Sequence, residues 1–125
     1  MKTQLPKQIF VTGTGTDVGK TVISAILVAG LNAKYWKPVQ CGLDNPTDSQ
    51  WIQQKTAVPE SFIFKEAYAL QQPLSPHAAA ELEDTEILMS NFTLPDVHHD
   101  EHLIVEGAGG IMVPLNKDKL VLDLI

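Results

Sequence analysis

A glycine-rich stretch, VTGTGTDVGKT, occupies residues 11–21 and restricts the fold of this chain more than any other feature. A short run of β-forming residues precedes it, and a run with apolar residues at helical spacing follows it. A turn that leads into a helix beginning with Gly-Lys-Thr directs backbone N–H groups and the helix dipole at one point. Because phosphate groups bind at such a point, the stretch predicts a phosphate-binding loop between a strand and a helix.

The end of this loop carries the side chains that the chemistry needs. We expect Lys20 to reach the outer phosphates of a nucleotide and the Thr21 hydroxyl to bind magnesium. Thr14 stands where the general pattern G-x-x-x-x-G-K-[ST] has its first glycine, which weakens the general match. Asp17 is not needed for phosphate binding. It indicates an amine-bearing substrate near the last phosphate, or a residue that the dipole favours at a helix start.

The rest of the chain alternates between strand-like and helix-like segments. Strands are predicted over residues 8–12, 33–39 and 102–105, and helices over residues 20–31, 48–57, 77–84 and 83–91. The first helix has few polar positions, so we expect it to be buried on most sides. The alternation predicts an α/β fold, with a parallel sheet flanked by helices and right-handed crossovers.

Three loops follow the three predicted strands, at residues 13–20, 37–42 and 106–110. In a parallel sheet such loops meet at one edge, and ligands bind there. Lys37 would add positive charge at that edge, whereas a lysine considered alone is more typical of the surface. Glu106 leaves a buried strand and could meet a metal ion, or it could be a solvated residue of a turn.

Four further features have more than one interpretation. Asp48 caps the helix that follows it, binds magnesium, or does both. Cys41 is more typical of a small buried residue than of a nucleophile, because no neighbouring feature activates its thiol. The run HHDEH, at residues 98–102, predicts a polar surface loop because it lacks helical spacing for shared metal ligands. His77 remains open.

Length and composition limit the remaining choices. We expect the 125 residues to form a single domain, residues 1–125, with a packed core, since 44% of them are apolar. The net charge of −6 argues against nucleic acid or an anionic membrane as a partner. A single cysteine, no signal peptide and no apolar run long enough to span a bilayer predict a cytoplasmic protein.

Four motifs in this order, GTGTDVGKT, KPVQCG, SPHAAA and VEGAGGIMVPL, resemble those of the dethiobiotin synthetase family of biotin synthesis. The loop of that family has the form G-T-x-T-[DE]-[VI]-G-K-T, with threonine where the general pattern has glycine. The resemblance implies a P-loop NTPase-like domain, a homodimer, and an ATP- and Mg²⁺-dependent ring closure. The implied substrates are 7,8-diaminononanoate and CO₂ or bicarbonate, joined through a carbamate and a carbamic-phosphoric anhydride.

The resemblance also implies roles for individual residues. Lys20 and Lys37 would be catalytic, binding phosphate and the carbamate. Magnesium would be held by Thr21, Asp48 and Glu106, and the diamine would be bound by Thr16, Asp17, Lys37 and Cys41. The implied ATP-binding set is Gly15, Thr16, Asp17, Val18, Gly19, Lys20, Thr21, Glu106, Gly107 and Gly109. Members of the family usually have serine or threonine at the position of Cys41, and a thiol is a weaker donor.

Members of the family are also longer. We therefore expect part of the domain, including much of the adenine pocket and the partner-facing surface, to lie beyond Ile125, and this stretch alone to be inactive. A cobyrinate-type amidoligase and a ParA- or MinD-like switch ATPase are alternatives with related loops. The switch ATPases carry a further lysine early in the loop, where this chain has Thr14 and Gly15. A phosphate-binding module without catalysis would not need the acidic residues.

Overall fold

The computed structural model describes residues 4–125. The elements within these residues are β1 (Gln8–Val11), α1 (Lys20–Leu31), β2 (Lys34–Trp36), β3 (Val39–Cys41), α2 (Asp48–Thr56), β4 (Ile63–Phe64), β5 (Tyr68–Leu70), α3 (Pro76–Leu82) and β6 (Leu103–Glu106). Single 3₁₀ turns occur at Glu60–Phe62, Met89–Asn91 and Val121–Leu124. The expected α/β fold is therefore confirmed.

The main sheet has four strands in the order β1-β6-β2-β4, and each neighbouring pair is parallel. A second sheet consists of the parallel strands β3 and β5. The register places Val11 opposite Glu106 and Trp36 opposite Val105. Because β6 lies between β1 and β2, its last residue stands between the loops that follow the other two strands.

Both faces of β6 are buried, which explains its uniformly apolar start. Ile104 packs with Val28 of α1 and Tyr35 of β2 in the cluster on one face. Leu103 and Val105 point the other way and pack with Trp36. Since side chains alternate along a strand, Glu106 shares the face of Ile104 and lies beside α1.

Helix α1 begins where the sequence predicts, but its burial differs from the prediction. Only Ser24, Ala25 and Val28 are buried, and the apolar side chains at positions 22, 23 and 26 are 50–61% exposed. The prediction of a helix buried on most sides was therefore wrong, because the sheet covers one face of it. None of the helices within residues 4–125 is long and apolar enough to cross a membrane.

Two other predictions need correction. The strand predicted over residues 33–39 is two strands, since β2 ends at Trp36 and β3 starts after Pro38, which has no N–H to donate to a ladder. The helix predicted over residues 83–91 is absent. Asp84 takes a left-handed conformation (φ 51°) just after α3, and only one 3₁₀ turn follows. Ile87, which lies in between, is buried in the core beside β3 and β5.

Candidate functional site

The carboxyl ends of β1, β2 and β6 bring four charged or hydroxyl-bearing side chains together. The Lys37 ammonium donates to Glu106 Oε2 at 3.0 Å and also pairs with the Asp48 carboxylate. The Thr21 hydroxyl donates to the same Glu106 oxygen at 3.1 Å. Residues from four separate elements or loops therefore meet around one buried carboxylate, at the edge where parallel sheets bind ligands.

The conformation of the glycine loop explains why threonine is accepted at position 14. Among the loop residues only Asp17 (φ 56°) and Gly19 (φ 104°) are left-handed, so position 14 does not require glycine. The Lys20 ammonium folds back and donates to the Gly15 carbonyl at 2.6 Å. The loop is thereby held around its own lysine, with the N-terminus of α1 directly behind it.

The turn after β6 packs against this loop. Ile111 N–H donates to the Gly13 carbonyl at 2.8 Å. A Cβ atom at Gly110 would lie 2.7 Å from the Thr14 carbonyl oxygen, which is closer than real contacts allow. Glycine at position 110 is therefore required for the two loops to approach each other.

Burial acts to lower the pKa of both lysines, but the neighbouring charges affect the two differently. Burial acts to lower the pKa of Lys37, but the carboxylates of Glu106 and Asp48 outweigh it and leave the pKa above its ordinary value. Burial lowers the pKa of Lys20, and the nearby Lys37 ammonium lowers it further. Lys37 is thus a fixed ammonium at neutral pH, and it cannot accept a proton there.

The side chains present fit a magnesium ion. Glu106 is fully buried, and its second oxygen, Oε1, has no hydrogen-bond donor. Thr21 and Asp48 add a hydroxyl and a carboxylate, and Mg²⁺ prefers such oxygen ligands, often one or two carboxylates together with substrate phosphates. Within residues 4–125 no three His, Cys, Asp or Glu side chains form a metal cluster.

A cleft of about 600 Å³ lies beside these residues. It contains ten of the thirteen residues that the sequence singled out: Thr16, Asp17, Gly19, Lys20, Thr21, Lys37, Cys41, Asp48, Glu106 and Gly109. Gly15, Val18 and Gly107 do not line it. Gly107 instead donates its N–H to the Val11 carbonyl and lies against the Phe10 ring.

Asp48 is not the N-cap of α2, contrary to one of the two interpretations of the sequence. Thr47 is the N-cap, and its hydroxyl accepts from Gln50 N–H while the Gln50 side chain accepts from Thr47 N–H. Asp48 is the first residue of the helix. Its carboxylate is therefore not used for capping and points at Lys37.

Ten further residues line the cleft that the sequence did not single out as candidate site residues, among them Gln40 and Trp51. Gln40 lies inside the motif KPVQCG but carries no charge, so it gave no signal of its own. Only its strand-end position beside Lys37 could have indicated it. Cys41, the next residue, is half-buried, and this burial raises the pKa of its thiol to about 11. It is therefore a neutral thiol at the wall of the cleft.

The histidines lie outside the cleft. His77 is in α3 and pairs with Glu81 at 3.2 Å, one helical turn away. His98 and His99 are exposed and stack on each other in the loop before β6. His98 also contacts Asp100 at 2.5 Å. None of these side chains lines the cleft.

Comparison with known sequences decides the family. A profile of the AAA domain family matches residues 7–125. The chain belongs to the AAA domain family. The match covers every element of the structure, from the strand before the phosphate-binding loop to the last 3₁₀ turn.

Three relatives that resemble this chain share the name ATP-dependent dethiobiotin synthetase BioD. The ATP-dependent dethiobiotin synthetase BioD of Christiangramia forsetii is 46% identical over 121 residues, which are 97% of this chain and 58% of that protein. The protein of the same name from Cytophaga hutchinsonii is 51% identical over 95% of this chain and 57% of its own length. The protein of this name from Rhodopseudomonas palustris is 46% identical over 94% of this chain and 55% of its own length. The expected resemblance to dethiobiotin synthetases is confirmed, and the chain spans little more than half of these relatives.

Proposed function

We propose that the protein makes dethiobiotin from 7,8-diaminononanoate and CO₂, with ATP and magnesium, in biotin biosynthesis. The observation that carries the proposal is the meeting of the phosphate-binding loop, Lys37, Asp48 and Glu106 at one cleft. An ATPase that only changes conformation has no need of an acidic residue, Asp17, at the mouth of its phosphate site. The name shared by the relatives supports this choice of reaction.

ATP would bind with its phosphates at the N-terminus of α1. The backbone of the loop, the helix dipole and the Lys20 ammonium all favour negative charge there. Lys20 now donates to the Gly15 carbonyl and would turn to the outer phosphates when they bind. The proposed ATP-binding residues that line the cleft are Thr16, Asp17, Gly19, Lys20, Thr21, Glu106 and Gly109.

Thr21, Asp48 and Glu106 would hold magnesium together with the phosphates. When bound, the ion neutralises charge on the transferring phosphoryl group. The buried Oε1 of Glu106, which lacks a donor, is the free acceptor that supports this role. Thr21 and Lys37 hold the other oxygen of the same carboxylate and so fix its plane.

The diamine would lie between the loop and β3. Asp17 and Thr16 would bind its ammonium end, because a carboxylate near the phosphates attracts a cationic substrate. Cys41 would contribute apolar contact and a weak donor, since its raised pKa keeps the thiol protonated. Lys37, a permanent ammonium, would bind the carbamate formed from CO₂ and one amine.

Two displacements follow in this scheme. A carbamate oxygen attacks the γ-phosphorus of ATP, the bond to ADP breaks, and a carbamic-phosphoric anhydride forms. The second amine then attacks the carbamoyl carbon, the C–O bond to phosphate breaks, and phosphate leaves as the ureido ring closes. The amine protons pass to solvent. Lys37 and Lys20 stabilise the negative charge that develops on the oxygens, and no side chain forms a covalent bond.

A homodimer in the cytoplasm is part of the same proposal. Lys20 and Lys37 are the cationic side chains that line the cleft, and the scheme above uses both for phosphate and the carbamate, so neither is left for the carboxylate of the substrate. A second subunit facing the cleft would supply that contact. Sedimentation at several protein concentrations tests the dimer: a concentration-independent monomer would contradict it.

Isotope transfer tests the proposed chemistry. With bicarbonate labelled with oxygen-18, ATP and the diamine, we expect one labelled oxygen in the released phosphate, because a carbamate oxygen becomes a phosphate oxygen. An amidoligase that phosphorylates a carboxylate would release phosphate without label from bicarbonate. Unlabelled phosphate, measured before the label exchanges with water, would therefore refute the scheme.

A further inference from the structure

Gln40 is the most buried polar side chain of the cleft to which the scheme above gives no role. It lies in the middle of β3 and is 6% exposed. Its Nε2 donates to the Cys41 carbonyl at 3.2 Å and to the Gly42 carbonyl at 3.1 Å. Its Oε1 accepts the backbone N–H of Asp48 at 3.3 Å. Both donors and one lone pair of the amide are thus in use.

The bond to Asp48 matters because of where Asp48 lies. The first N–H groups of a helix have no partner inside the helix. The Thr47 hydroxyl takes the N–H of Gln50, so the N–H of Asp48 depends on a side chain from another element. Gln40 provides that acceptor from β3, and the helix begins at a fixed place relative to the second sheet.

This anchoring fixes a carboxylate that has little other support. The Asp48 side chain is 34% exposed, and its partner is the Lys37 ammonium. Lys37 in turn is shared with the fully buried Glu106. If the start of α2 moved, the distance between the two carboxylates would change.

The Nε2 group of Gln40 binds the turn that follows β3, on the opposite side of the cleft from α2. Gly42 is left-handed (φ 84°), and its N–H donates to the Leu70 carbonyl of β5 at 2.9 Å. The carbonyl groups of Cys41 and Gly42 both accept from Gln40. One side chain therefore ties the turn at the substrate side to the helix that carries Asp48.

We propose that Gln40 is a positioning residue, which sets the Asp48 carboxylate for magnesium by holding the first turn of α2 against β3. The proposal rests on the proposed function in one respect, namely that Asp48 is a magnesium ligand. Partners that orient metal ligands from behind typically change metal affinity by about 10–100-fold when they are removed. In this proposal Gln40 acts through Asp48, because the bonds of its amide all go to backbone groups, those of Cys41, Gly42 and Asp48.

The variant Gln40→Met tests this role. Methionine has similar length and flexibility but cannot donate, and its sulfur is a weak acceptor. We expect the Mg²⁺ concentration that gives half-maximal tightening of AMPPNP binding to rise about tenfold, because Asp48 is no longer fixed. Binding of AMPPNP without Mg²⁺ should not change, since the phosphate-binding loop is untouched.

Gln53→Met is the matched control. Gln53 is also a glutamine with a side-chain bond to the backbone, from Nε2 to the Val58 carbonyl at 3.1 Å, but at the other end of α2. It should leave the Mg²⁺ dependence of AMPPNP binding unchanged. Equal effects of the two variants, or native Mg²⁺ dependence in Gln40→Met, would overturn the positioning role.

Hydrogen exchange gives a readout that needs neither nucleotide nor turnover. The Asp48 amide should be protected in the native protein and should exchange faster in Gln40→Met, with no change in Gln53→Met. An unprotected Asp48 amide in the native protein would overturn the proposal even if Gln40→Met failed to fold. A native protein with Gln40-dependent Mg²⁺ binding that makes no dethiobiotin would refute the proposed function alone. A native protein that does not bind AMPPNP would refute both.

Discussion

The buried pair between Lys37 and Glu106 is the residue-scale feature on which the site depends. Both side chains are at least 93% buried, and the pair places a carboxylate and an ammonium in contact inside the protein. We expect Lys37→Met to lower the free energy of unfolding by about 3 kcal/mol, because it leaves the Glu106 carboxylate without a counter-charge. It should also lower dethiobiotin formation by about 10²–10³-fold, since the charge on the transferring oxygens loses its partner.

The double variant separates these two effects. Lys37→Met combined with Glu106→Gln removes the unpaired charge and should recover most of the lost stability in urea unfolding. It should not recover activity. A stable single variant, or a double variant that regains turnover, would show that the pair does not have the proposed role.

Cys41 provides a residue-scale prediction about pH. Burial raises the pKa of its thiol from the ordinary 9.0 to about 11, so the folded state favours the protonated form. The stability that comes from the neutral thiol is therefore complete below pH 9 and is lost as the pH rises towards 11.

Alkylation measures this directly, because Cys41 is the only cysteine in the sequence. The rate of reaction with iodoacetamide should rise with pH around a midpoint near 11 in the folded protein and near 9 in urea. The same midpoint under both conditions would contradict the burial of the thiol.

At the scale of elements, the contact between the phosphate-binding loop and the turn after β6 can be tested with two glycines. Gly110→Ala places a Cβ atom 2.7 Å from the Thr14 carbonyl oxygen, and backbone cannot yield as a side chain can. We expect a loss of about 1–3 kcal/mol in the free energy of unfolding, together with weaker ATP binding.

Gly30 is the control for this substitution. It lies in α1, and a Cβ atom there would meet nothing within 4 Å. Gly30→Ala should therefore raise the free energy of unfolding by about 0.5 kcal/mol, since alanine favours the helix. If both substitutions changed the free energy of unfolding in the same direction, the close approach at Gly110 would be refuted.

The elements also show what sequence could and could not predict. Helices α1 and α2 and the strands β1 and β6 have periodic or uniformly apolar patterns, and they were found within one or two residues. Strands β4 and β5 have only two and three residues, too few for a pattern, and they form because parallel partners lie beside them.

Some features of the site could likewise be predicted from the sequence, and others could not. The meeting of Lys37 with Glu106 follows from parallel topology, which can be inferred from the order of the elements. The role of Gln40 depends on hydrogen bonds between β3 and the start of α2, and no local pattern encodes such bonds. The exposed face of α1 could not be predicted either, because its sequence is apolar on nearly all sides.

At the scale of the whole molecule, the described residues form a sheet whose strand ends converge on one cleft. The chain spans 55–58% of the lengths of the three relatives compared above. The phosphate-binding loop, both lysines and all three proposed magnesium ligands nevertheless lie within this chain. We therefore expect ATP cleavage at this cleft to be coupled to ring closure.

The most direct test is phosphate release from ATP and Mg²⁺ by the intact protein, with diaminononanoate and bicarbonate supplied together, singly or not at all. We predict release only when both are present, with one phosphate for each dethiobiotin identified by mass. Release that is indifferent to the diamine would contradict this coupling and would favour a switch ATPase or an amidoligase.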